Sequence, residues 1–197
     1  MNTKITPTAL TSRFGPLPES MMDSEQINVV KEFVKGPRGK MNTSGPNIVL
    51  LRAPELLSRT QKVGEYLRFG SSLPARLSEF AIMITARAWS AQVEWLAHQP
   101  LALKAGLAPS VAEDLAKGKH PQQMQDDEKI VYQFCTELHQ HKRVTDQTYL
   151  NCKEKFGEKG VVELIGITGY YTMLAMVLNV AQQPLPGDVS PPLAPID

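Results

Sequence analysis

Glu94, Trp95, Leu96, Ala97 and His98 place a carboxylate and an imidazole four residues apart. On a helix, positions i and i+4 share one face. A carboxylate within reach of an imidazole fixes the ring's orientation and tautomer and raises its basicity. A histidine held this way accepts or delivers a proton near neutral pH. The same pair also decorates solvated helix faces, where it does no chemistry. Glu79 strengthens the chemical reading. It stands between Leu77 and the apolar run Phe80, Ala81, Ile82, Met83, and a carboxylate buried among such neighbours needs a partner.

Other residues near the pair suit a small, anionic substrate. Arg87 is a candidate to grip a carboxylate bidentately, or else forms a salt bridge at the surface or between subunits. Trp89 and Trp95 flank the pair and either pack the core or line a pocket. Tyr170, with Tyr171, opens an apolar helical run, from which a hydroxyl donates into a pocket or into the structure. His120, His139 and His141 have polar, lysine-rich neighbours and are expected to be solvated. Met173 and Met176 are expected to pack. Cys135 and Cys152 match no metal or redox spacing and read as reduced, buried thiols. The chain has no GxGxxG, GxxxxGK[ST], CxxC, HExxH or GxSxG. That argues against nucleotide-dependent, common zinc and serine-hydrolase chemistry, and the reading calls for no cofactor and no metal.

The elements that must position these residues are helical. Asp23 and Gln26 have the spacing of a capping box, and Ile27, Val30, Phe33 and Val34 follow at helical period. Gly36 to Gly39 stops this helix, and a loop is expected up to Val49. Pro54 opens a second helix that ends at Gly70. After Pro74 the apolar residues run nearly all round, which implies a buried helix. Ser90 to Gln92 is a plausible break before a stretch from Val93 to Ala105, which Pro100 bends or splits. Shorter or amphipathic helices are expected over Pro109–Ala116, Asp126 to about Lys142, and Asp146–Phe156, the last ended by Gly157. Val161–Ala181 is the most apolar. No alternating pattern supports a sheet. The fold class is therefore all-α, with seven or eight helices.

The domain is expected over 23–183, between an extended arm at 1–22 and a Pro-rich tail at 184–197. The chain has 197 residues, 42% hydrophobic, with a formal net charge of +1. That balance creates no broad attraction to nucleic acid or to anionic membranes. The N-terminus lacks the apolar core of a signal peptide. Gly166, Thr168, Gly169, Thr172 and Asn179 interrupt the long uncharged stretch, so no membrane span is expected. A cytoplasmic protein fits these features.

The order and spacing of several pieces resemble the carboxymuconolactone decarboxylase family, which includes the AhpD-like alkylhydroperoxidases. They are Leu77-Ser78-Glu79, Trp89, Glu94 to His98, Ala105-Gly106-Leu107, Asp127 to Ile130, the helix around Phe134 to Leu138, Val144 to Asp146, Phe156-Gly157, and Val162 through Asn179. The resemblance covers roughly 45–183. It implies an AhpD-like helical bundle assembled as a trimer or hexamer. In that pattern Glu79 matches the family's glutamate and His98 its histidine. Ala91 and Glu94 stand where the peroxidase branch carries its two cysteines, so thiol peroxidase chemistry is expected to be absent. What is kept suits the lyase branch: a small lactone acid decarboxylated or isomerised without a cofactor, with His98 moving protons and Glu94 and Glu79 tuning or relaying. The alternatives are a peroxidase-type oxidoreductase with some other thiol arrangement, and a non-catalytic oligomeric binding protein.

Overall fold

A helix that is apolar on every side belongs inside a protein, and the segment after Pro74 behaves accordingly. In the computed structural model, which describes residues 12–41 and 45–195, all ten residues from Leu77 to Ala86 are buried. Around that segment the described residues form a 3-10 turn at Glu19–Met21 and eight α-helices: α1 (Ser24–Lys35), α2 (Pro46–Leu50), α3 (Pro54–Phe69), α4 (Ala75–Ala88), α5 (Gln92–Lys104), α6 (Pro109–Ala116), α7 (Asp126–His141) and α8 (Asp146–Ala181). The described residues contain no strand. The architecture is all-helical and agrees with an AhpD-like bundle. α4 is the central rod, packed on α5, α7 and α8. Leu77, Phe80, Trp95, Phe134, Leu164 and Ile167 fill the core between them.

Local chemistry sets the helix ends. Gln26 N–H donates to Asp23 Oδ1 at 2.8 Å, and Asp23 N–H donates back to Gln26 Oε1 at 3.0 Å, which completes the capping box of α1. One element was not expected: α2 lies where a loop was read. Pro46 at its first position supplies the preset φ that starts a helix. α5 runs unbroken through Pro100. α8 is two helical rods meeting at Gly157, whose φ of 68° and ψ of 175° are not helical, so the stop read at that glycine is a sharp joint. By length and composition α8 is apolar enough to cross a membrane, contrary to the expectation above. Yet 56% of its most apolar window is buried within the bundle, against α2, α3, α4 and α7.

Three successive helices end in the same turn. After α5, Leu107 N–H donates to Ala102 carbonyl and Gly106 N–H to Leu103 carbonyl; after α6, Lys119 and Gly118 do the same with Asp114 and Leu115. These are Schellman turns, with glycine in the left-handed position at φ 102° and 71°. The turn from α4 to α5 repeats the pattern, Ala91 N–H to Ala86 carbonyl and Ser90 N–H to Arg87 carbonyl. Here the left-handed residue is Ser90, at φ 47°.

Three buried carboxylates outside the Glu79, Glu94 and His98 set tie the rods together, and none of the three was singled out from the sequence. Glu163 of α8 accepts from Tyr66 Oη at 2.5 Å, Ser72 Oγ at 2.5 Å and Ser72 N–H at 2.9 Å. Burial opposes its charge, but these donors hold its pKa down at about 2. Glu137 collects Thr145 N–H and Thr148 Oγ1, both at 2.8 Å, and so fixes the α7–α8 loop. Arg76 bridges Asp127 at 2.7 Å and also pairs with the buried Glu128.

The two ends of the described chain are docked onto the bundle. Arg13 N–H donates to Ala181 carbonyl at 2.8 Å. Beyond Pro184 the tail turns back. Gln92 Nε2 donates to Leu193 carbonyl at 3.1 Å, and Leu193 N–H donates to Gln92 Oε1 at 2.9 Å. The Leu193 side chain is buried. Residues 1–11 of the expected arm lie outside the described residues.

Candidate functional site

α4 and α5 form a tight pair joined by the turn at Ser90, and that pairing assembles the three residues. Glu79 projects from the second turn of α4, while Glu94 and His98 share a face of α5. His98 Nδ1 lies 2.6 Å from Glu79 Oε2, and His98 Nε2 lies 3.3 Å from Glu94 Oε1. All three side chains are buried, with Glu94 the most enclosed at 4% exposure for the residue. Glu94 also occupies the first turn of α5, where the helix dipole favours an anion.

Both ring nitrogens therefore face carboxylates. Burial works against a charged ring, but the hydrogen bonds to Glu79 and then Glu94 outweigh it, and the His98 pKa is raised above its ordinary 6.5. The ring is a stored proton, held at Nδ1 by the short contact to Glu79 and looser at Nε2. Tyr171 meets the imidazole edge-on, with centroids 5.1 Å apart, and Tyr170 meets Tyr171 in the same manner at 5.3 Å. Burial keeps the Tyr171 phenol protonated. Trp95, fully buried beside Glu94 in the sequence, leaves its indole N–H without a hydrogen-bond partner.

The remaining candidates are distributed differently. Arg87 is not brought to the pair. Eight residues beyond Glu79, it is displaced by about 12 Å along α4 and rotated by about 80°. Its Nη1 donates to Ala194 carbonyl at 2.5 Å, and it lines a separate cavity of about 370 Å³ with Leu115, Gly118, Tyr132 and His139. Trp89 caps α4, half-buried, and its carbonyl accepts from Asn179 Nδ2 at 2.8 Å. Tyr170 reaches His98 only through Tyr171. His139 is not solvated, contrary to expectation: its Nε2 lies 3.1 Å from Thr85 Oγ1, and burial holds its pKa at about 4. An amphipathic helix hides one such residue per turn, and lysine-rich neighbours in sequence need not be neighbours in space.

Cys135 and Cys152 are free and buried. Burial pushes their thiols up to about 12 and about 11. Ala91 sits buried at the start of α5, one turn before Glu94. No group of three or more His, Cys, Asp or Glu side chains among the described residues is arranged to hold a metal ion. The cavities described around the bundle are lined by other residues than the three.

No protein-family model and no curated protein matches the sequence. Among solved structures, the chain is similar to the debrominase Bmp8, described as a cysteine-to-alanine variant in complex with 2,3,4-tribromopyrrole. The TM-score is 0.65 at 12% identity, and the match covers 89% of this chain and 92% of that one. Likeness at that identity establishes a shared helical fold.

Proposed function

We propose that this chain is a carboxymuconolactone decarboxylase-like enzyme, a cofactor-independent lyase or isomerase acting on a small lactone or carboxylic acid. The observation that carries the reading is the imidazole of His98 with a carboxylate at each nitrogen. A raised pKa favours the imidazolium, and an imidazolium is a general acid. Glu79 orients the ring through Nδ1. The Nε2 proton, held more loosely toward Glu94, is the one delivered. In a decarboxylation the substrate's carboxylate leaves as carbon dioxide, its bonding electron pair stays on the carbon as an enolate, and the Nε2 proton quenches that carbon. Water returns the proton to the ring through Glu94. That a protein of the same fold is an enzyme, a debrominase, supports a catalytic role in general.

A substrate screen with small lactones and β-keto acids tests this reading, with His98→Ala as the control. Turnover that falls by roughly 10²-fold or more in the variant is the expected result, as for loss of a general acid. Turnover indifferent to His98→Ala overturns the assignment.

One observation favours a second reading. The three side chains line none of the cavities described, as they would if the set were a packing network in a non-catalytic oligomer. A peroxidase-type oxidoreductase has less support, because both thiols are buried and strongly protonated. Self-association as a trimer or hexamer belongs to the same proposal. α8 leaves Val162, Ile165, Met176 and Val180 exposed, an apolar stripe suited to a second copy.

A further inference from the structure

The loop after α1 and the end of α3 enclose a cavity of about 590 Å³, lined by Arg38, Lys40, Asn47 and Arg68 and by the rings of Phe33 and Phe69. Three basic groups line it, and no acidic side chain is among its described lining residues. Arg38 Nε and Arg68 Nε are shut away from solvent with no hydrogen-bond partner among the described residues, while Arg38 Nη2 rests against the Tyr170 hydroxyl. Neither arginine joins an ion pair among the described residues. Burying guanidinium N–H groups without acceptors is costly, and a site for an anion is one arrangement that justifies it.

The geometry is that of a prepared site. Each guanidinium lies over an aromatic ring, Arg38 at 5.5 Å from the Phe33 centroid and Arg68 at 5.3 Å from that of Phe69, which restrains its orientation. Gly64 of α3 makes room for the assembly. A Cβ there would stand 2.3 Å from Tyr170 Oη and 2.6 Å from Arg38 Nη2, so the phenol and the fork both settle on bare helix backbone. Tyr170 thus lies against Arg38 on one side and Tyr171 on the other, and Tyr171 touches His98.

We propose that this cavity, walled off from the His98 site by Tyr170 and Tyr171, binds the carboxylate of a small organic acid through Arg38 and Arg68. Lys40 adds positive charge at the exposed side of the cavity.

The test is calorimetric titration of the whole chain with succinate, benzoate and inorganic phosphate, using Arg38→Gln, Arg68→Gln and, as a control, Arg59→Gln. Arg59 is an exposed α3 arginine paired with Glu55. Saturable carboxylate binding is expected in the wild type and in Arg59→Gln, with a loss of roughly 10- to 100-fold in either Arg38→Gln or Arg68→Gln. A second readout separates a binding role from a structural one. Without ligand, Arg38→Met should melt at a higher temperature than the wild type, because a half-buried guanidinium with no ion-pair partner is removed. Absence of saturable binding, equal binding in Arg38→Gln and Arg59→Gln, or a lowered melting temperature in Arg38→Met overturns the site. Phosphate binding that no carboxylic acid competes away overturns the carboxylate assignment. Carboxylate binding that survives while every turnover assay is blind to His98 sinks the catalytic reading and leaves the anion site standing.

Discussion

Glu79 Oε2 and His98 Nδ1 lie 2.6 Å apart although they stand 19 positions apart in the sequence, a closer contact than the one His98 makes with Glu94 on its own helix. The stronger hold on the ring therefore comes across the α4–α5 pair. The two carboxylates should be distinguishable by the histidine's titration. Glu79→Gln is expected to lower the His98 pKa more than Glu94→Gln does, read by NMR from the imidazole Cε1 shift. Equal drops, or a larger one for Glu94→Gln, would show that the distance difference has no electrostatic weight.

His98 also links stability to pH. Its folded pKa is raised above the ordinary 6.5, so its contribution is present in full below about 6.5 and is lost as pH rises through the folded value. The melting temperature of the wild type should fall relative to that of His98→Gln over that alkaline limb. The difference between the two curves isolates His98. His139, with its pKa held at about 4, acts with the opposite sign and is common to both. A flat difference curve above pH 6.5 would contradict the shift.

Ser90 holds a left-handed conformation that its two counterparts assign to glycine. Ser90→Gly should stabilise the protein by about 1 kcal/mol in urea melts, the usual cost of a non-glycine residue there. Activity that falls as stability rises would mark the turn as strained in the service of the α4–α5 geometry. A destabilised variant would mean that the Ser90 hydroxyl, buried and unpartnered, contributes in a way its contacts do not reveal.

Thiol chemistry should be silent. Cys135 and Cys152 are both buried, with thiols pushed up to about 12 and about 11. In the folded protein neither is expected to react with iodoacetamide at neutral pH over a time in which free cysteine is consumed. Peroxide reduction with a dithiol should be negligible. Turnover of an alkyl hydroperoxide that disappears in Cys135→Ser or Cys152→Ser would refute this.

The exposed stripe on α8 predicts self-association. Light scattering should give a trimer or hexamer at micromolar concentration, and Ile165→Glu, at a position 49% exposed, should shift the mass toward the monomer without unfolding it. A wild-type monomer under those conditions would remove the oligomer from the proposal.

The helices were legible because their signals are local. The Asp23 cap, the prolines at 54 and 109 and the glycines at 106, 118 and 157 each act within a turn of themselves. α2 was missed because five residues are too few to show a period, and Pro46 alone is a weak start signal. The Glu94–His98 contact follows from i and i+4. The Glu79 contact needed either the family resemblance or the crossing of two helices, which no spacing encodes. Arg87 misled because nearness in sequence is not nearness in space: a helix carries residues round and along its axis together. Arg38 and Arg68 gave no signal at all: one stands in the loop after α1 and the other near the end of α3, and only the fold brings both to one cavity.

The docked tail gives the molecule an order of assembly. Gln92, at the first turn of the helix that carries His98, is tied by two hydrogen bonds to the backbone of Leu193, 101 positions later. While the chain is being synthesised, that helix emerges long before its clasp exists. The bundle can collapse around α4 during translation, but this corner is finished only after residues 193 and 194 leave the ribosome. An elongation pause before those residues would hold a population of nearly folded chains with the beginning of α5 unclasped.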